Sequence, residues 1–129
     1  MGLFGNLFSK TKATKKEKNS VPWIALERME QLDEIIQKSN EKPQLLFKHS
    51  TTCGISRMVL NIFSDNYSAE NVVDAYFLDL HAHRAISDEA AQRLGVMHQS
   101  PQLIVIKNEQ VTYHASHGAI TETTLQELL

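Results

Sequence analysis

The chain has 129 residues, of which 42% are hydrophobic and 22% charged, with a formal net charge of −2. That is enough apolar material for one domain with its own core, and it excludes a fibrous chain or a membrane-spanning one. Cys53 is the only cysteine, so no internal disulfide can form, and a reducing cytoplasmic location is expected, with no secretory signal at the start.

Charge divides unevenly. Residues 1–20 hold five lysines and one glutamate, a balance of +4, which leaves −6 on residues 21–129. The run Lys10 to Lys18 reads as a flexible, solvated basic tail, and the acidic body argues against nucleic-acid binding. Gly2 is a poor myristoylation site because Asn6 stands where that motif wants Ser or Thr, so no membrane attachment is expected.

The folded domain is expected over 21–129. Trp23 to Leu26 is a short apolar run with strand character, and Met29, Leu32, Ile35 and Ile36 follow at helical spacing, ending near Ser39-Asn40 with Pro43 beyond. Leu45-Leu46-Phe47 reads as a buried strand running into Lys48-His49. Thr51 or Thr52 then caps a helix whose Ile55, Val59, Ile62 and Phe63 share a face. Val72 to Leu80 is rich in β-branched and aromatic residues, a third strand. Ser87-Asp88-Glu89 has the pattern of a capped, acidic helix start, with Gly95 as the stop. Leu103 to Ile106 and Val111 to Ala115, joined by a polar turn, form a hairpin, and Thr121-Glu122 opens a last helix carrying Leu125, Leu128 and Leu129. The order β-α-β-α-β-α-β-β-α describes an α/β thioredoxin-like fold, a central mixed sheet flanked by helices.

Cys53 falls where a strand turns into a helix. Unpaired backbone N–H groups and the positive end of the helix dipole favour a thiolate there, and the thiolate is the nucleophilic form. The alternative is an inert buried thiol; the polar neighbours Ser50, Thr51 and Thr52 argue against it. Three residues on, where a dithiol motif has its partner, stands Ser56, a plain helix residue or a hydrogen-bond donor to the Cys53 sulfur. Lys48 and His49 either add positive charge near the thiol or are solvated strand-end residues. His81-x-His83 and His114-x-x-His117 lack a strong metal-ligand spacing, and no metal is expected. No glycine-rich phosphate loop is present, so neither a nucleotide nor another tightly bound cofactor is expected.

A cysteine at this place and a proline, Pro101, before the hairpin resemble the thioredoxin superfamily. That resemblance implies that Pro101 is a cis-proline and that the backbone of Ser100 pairs with an extended substrate. More closely, Thr52-Cys53-Gly54-Ile55-Ser56, His98-Gln99-Ser100-Pro101-Gln102 and His114-Ala115-Ser116-His117 resemble the YtxJ-like monothiol bacilliredoxins over residues 22–129. The resemblance implies a thiol–disulfide oxidoreductase that removes bacillithiol, or a similar low-molecular-weight thiol, from S-thiolated proteins. Cys53 would be the nucleophile, Thr52, Gly54, Ser100 and Pro101 the substrate-binding set, and an external small or protein thiol the resolver. Two other functions stay open. Cys53-Gly-Ile-Ser56 is similar to the C-G-F-S of monothiol glutaredoxins, which carry iron–sulfur clusters, although Gln99-Ser100 and the lone Gly118 depart from their glutathione cradle. The other is a thioredoxin-fold adaptor without chemistry.

Overall fold

The computed structural model describes residues 21–69 and 72–129; the basic tail expected over 1–20 lies outside the described residues. In chain order the elements are β1 (Ile24–Ala25), α1 (Glu30–Lys38), β2 (Gln44–His49), α2 (Gly54–Asp65), β3 (Asp74–Asp79), α3 (Arg84–Leu94), β4 (Gln102–Lys107), β5 (Gln110–Ser116), a 3-10 turn (His117–Glu122) and α4 (Leu125–Leu128). The five strands form one sheet in the order β1-β3-β2-β4-β5, with β1, β3 and β2 parallel and β4 and β5 antiparallel.

Helices cover both faces, which is why every residue of the central strand β2 is buried. Leu45 and Phe47 point to one face, joining Val59 and Phe63 of α2; Leu46 points to the other, joining Leu32 and Ile35 of α1 and Ile86 and Ala90 of α3. Gly95 ends α3 at φ +67°, the left-handed conformation that glycine adopts without penalty. The hairpin turn places both Asn108 and Glu109 at positive φ, the geometry that matches the twist of a two-residue hairpin.

That hairpin is tied to the end of α1. Buried Ser39 accepts the Asn108 N–H at its carbonyl (2.8 Å) and the Glu109 N–H at Oγ (2.8 Å), while Asn40 Nδ2 donates to Glu109 Oε2 (2.7 Å). Ser39→Ala removes the hydroxyl that takes the Glu109 N–H and should cost about 1 kcal/mol. Urea unfolding would show this as a lower midpoint at unchanged slope, and an unmoved midpoint would refute it.

Sequence expectations shift at four elements. Helix α2 begins after Cys53, so neither Thr51 nor Thr52 is its cap, and Ile55 lies 55% exposed while Ser56 takes the inward position with Val59 and Phe63. Helix α3 starts at Arg84, one turn before the capped start expected at Ser87; Ser87 is buried inside it because the inner face needs Ile86 and Ala90 against the sheet. The third strand is shorter than Val72 to Leu80, and Val72 is exposed. The last helix does not open at Thr121: the chain first makes a 3-10 turn that buries Ile120 in the core, and only then the four-residue α4.

The register pairs Lys48 with both Leu78 and Gln102. The carboxyl ends of β2 and β3 and the amino end of β4 therefore share one edge of the sheet, where residues 50–53, 80–83 and 97–101 form its loops. In open α/β sheets such an edge is where ligands bind.

Candidate active site at the Cys53 loop

Residues 50–53 form a tight turn closed by the Cys53 N–H donating to Ser50 O (3.3 Å). Cys53 itself is the N-cap of α2, with extended backbone (φ −106°, ψ 120°) and a half-buried side chain that makes no capping bond. The first N–H groups of α2 have no partner within the helix, and no acidic residue stands in its first turn to offset their positive field. Gly54 follows, exposed and with open space around the position of a side chain.

Ser56 is fully buried, and its hydroxyl is engaged by β2 and the turn. It accepts the Ser50 N–H (3.1 Å) and sits 2.9 Å from His49 Nδ1. The Ser56 hydroxyl has a proton and a second lone pair still free for Nδ1, so the tautomer of His49 sets which of the two donates. Burial lowers the His49 pKa, with Asp79 opposing the effect and Arg57 adding to it, which favours the neutral imidazole. Its ring packs on Phe77 with centroids 5.3 Å apart.

Neither Lys48 nor His49 is the solvated strand-end residue that one reading of the sequence allowed: Lys48 is 0% and His49 6% exposed. The two leave the strand on opposite faces. Lys48 points away from α2, donating from Nζ to Ser87 O (3.3 Å) and meeting His98 Nδ1 at 3.4 Å. Burial pulls its pKa down to about 8, partly opposed by Asp88. His98, also 3.2 Å from Ser87 Oγ, has a lowered pKa through burial and the positive charges of Lys48 and Arg84, against Asp88.

The Ser100–Pro101 peptide is cis. Pro101 is buried with its carbonyl accepting the His117 N–H (3.0 Å), and Gln102 Nε2 donates to Met97 O (3.0 Å), so the loop before β4 is held at both ends. Ser100 Oγ is buried without a hydrogen-bond partner among the described residues. His114 and His117 are exposed on and after β5, and among the described residues no group of three or more His, Cys, Asp or Glu is placed to hold a metal ion.

In the sequence His81 stands out only as half of the weak His81-x-His83 pair, and its place beside the cysteine is not visible there. Its Nε2 lies 2.9 Å from Ser50 Oγ and 3.0 Å from Thr52 Oγ1, directly on the cysteine turn. The available signal was Asp79 at the end of a strand, whose side chain folds the next residues into a turn by accepting the N–H groups of His81 (3.0 Å) and Ala82 (3.4 Å).

A profile of known proteins, monothiol bacilliredoxin BrxC, matches residues 24–125, the stretch that holds both Cys53 and the cis-proline Pro101. The chain belongs to the monothiol bacilliredoxin BrxC family. Its fold is the α/β thioredoxin-like one, a mixed five-stranded sheet between helices, as read from the sequence. A solved protein described as a candidate oxidoreductase with a thioredoxin fold is 29% identical over 82% of this chain and 92% of its own, at a TM-score of 0.70. The thioredoxin Mala s 13 of Malassezia sympodialis superposes with a TM-score of 0.60 at 21% identity, covering 80% of this chain and 84% of that one. Oxidised thioredoxin O2 of Arabidopsis thaliana gives 0.62 at 15% identity, covering 81% and 90%. These two show the shared fold. Among the described residues of this bacilliredoxin-family chain, no helix is long and apolar enough to cross a membrane.

Proposed function

We propose that this bacilliredoxin-family chain removes bacillithiol, or a similar low-molecular-weight thiol, from proteins carrying it as a mixed disulfide, with Cys53 as the nucleophile. The observation that carries the reading is the placement of Cys53: half-buried at the N-cap of α2, before unpaired N–H groups and without a nearby acid in the helix's first turn. The Cys53 thiolate attacks the small-thiol sulfur of the mixed disulfide. A bond forms between Cys53 Sγ and that sulfur, the original S–S bond breaks, and the repaired protein leaves as a thiolate that takes a proton from water.

No second cysteine exists to displace the small thiol from Cys53. An external thiol, free bacillithiol or a partner protein's cysteine, therefore attacks the mixed disulfide on Cys53 and restores its thiolate, carrying the small thiol away in a new disulfide. Thr52, Gly54, Ser100 and Pro101 frame the approach, with the Ser100 backbone pairing with the extended substrate chain. His49 and Ser56 hold the turn from beneath, and Lys48 steadies the His98 side of the loop before Pro101. Ile55 and Met58 on α2 and Met97 in that loop, 54–80% exposed, give a protein substrate an apolar surface to rest on. The setting that suits this work is a reducing cytoplasm, where the resolving thiol is plentiful.

Incubation with a bacillithiol-capped protein, followed by intact-mass measurement, is expected to show one small-thiol adduct on Cys53 and loss of the cap from the substrate. A substrate that stays capped, with Cys53 unmodified, would sink the reading.

A further inference from the structure

His81 is bound up with the cysteine turn in a way that its exposed position on the β3–α3 loop conceals. The loop is hydrogen-bonded at its base: Leu80 N–H donates to His49 O (2.9 Å), Asp79 Oδ1 takes the His81 and Ala82 N–H groups, and Asp79 O takes the His83 N–H (3.0 Å). From that base the imidazole meets Ser50 Oγ at 2.9 Å and Thr52 Oγ1 at 3.0 Å, and these two oxygens lie 3.4 Å from each other.

Ser50 is thereby held at every polar atom. Its N–H goes to Ser56 Oγ, its carbonyl takes the Cys53 N–H, and its hydroxyl meets His81. Thr52, the residue before the cysteine, is held by the same ring nitrogen. An unheld four-residue turn would sample many positions for Sγ, whereas a nucleophile reacts fastest when its approach is fixed. The geometry points to His81 as a positioning residue that fixes the Cys53 turn through the Ser50 and Thr52 hydroxyls. The inference rests on Cys53 being the nucleophile of the proposed function.

Side-chain length makes this testable. Glutamine reaches the position of Nε2 with an atom that can either accept or donate, whereas asparagine reaches only to Nδ1. Neither carries charge, so a merely electrostatic effect of His81 would be lost in both. The Cys53 alkylation rate with iodoacetamide and the rate of exchange with a bacillithiol-capped protein should each fall about tenfold in His81→Ala and His81→Asn, the rate equivalent of one hydrogen bond of about 1.4 kcal/mol. His81→Gln should stay within about threefold of wild type. In a Thr52→Val background the loss from His81→Ala should shrink, because the two changes remove the same contact. Thermal unfolding, run alongside, should move little because His81 is exposed. Equal losses in Gln, Asn and Ala, or no loss in Ala, would overturn the positioning role. Alkylation reports on His81 even where exchange fails for every variant, wild type included, which would count against the proposed function alone.

Discussion

Cys53→Ser is expected to abolish small-thiol transfer, by at least about 10³-fold, while leaving the fold intact. The loss follows from the chemistry: a serine hydroxyl is neither ionised near neutral pH nor able to form a disulfide, and no other sulfur nucleophile exists among the cysteines of the chain. The intact fold follows from the geometry. Cys53 is only half-buried and its side chain makes no capping bond, so no hydrogen bond or core contact of consequence is removed. Serine is a better N-cap than cysteine, so the variant should match wild type or exceed it by roughly 0.5–1 kcal/mol. Intact mass and released substrate thiol report the first effect, and urea unfolding the second. Equal turnover in Cys53→Ser and wild type would show that the chemistry lies elsewhere.

Lys48→Met should make the protein more stable at neutral pH, by about 2–3 kcal/mol. Lys48 is 0% exposed, and its two contacts are long, to a carbonyl at 3.3 Å and an imidazole nitrogen at 3.4 Å. Burial brings its pKa from 10.5 to about 8, with Asp88 offsetting only part of the effect. The sign follows from proton counts. Between pH 8 and 10.5 the unfolded chain still holds the Lys48 proton and the native chain has released it, so stability rises with pH across that window. Below pH 8 both states are protonated and the native state bears the whole desolvation cost.

Methionine fills a similar volume without charge. Ser87 O lies within α3 and its hydroxyl keeps His98 Nδ1 at 3.2 Å, so little is left unpaired. The stabilisation should be full at pH 7 and shrink as the pH approaches 10.5. Urea unfolding at pH 7 and pH 10 measures it, and a less stable Lys48→Met at pH 7 would show that the partners of Lys48 more than offset its burial. What the lysine supplies in exchange is a tie from the central strand to α3 and to His98, three residues before the cis-proline.

Where polarity changes sharply along the chain, the sequence was readable. The order of strands and helices, the entry to a helix at Cys53, the stop at Gly95 and the polar hairpin turn each follow from local patterns. Local patterns misled where a side chain's surroundings come from distant segments. Ser87-Asp88-Glu89 has the composition of a helix start, yet packing against the sheet carries α3 a turn further back, and Ser87 O ends beneath Lys48. Ile55 fits an apolar helix face by spacing, but the start of α2 at Gly54 sets a phase that turns it outward and Ser56 inward.

The cysteine's place, the absence of a resolving partner, and hence a monothiol route for any exchange, were determined by the sequence alone, because a residue's identity and its position at a chain reversal are local properties. Only the tertiary structure decided which neighbours act on that cysteine. A central strand covered on both faces shows no alternation of polarity, so nothing in Lys48-His49 says which side chain faces α2. The hold of His81 on Ser50 and Thr52 spans about 30 residues of sequence, and it exists because parallel pairing of β2 with β3 brings their carboxyl ends together.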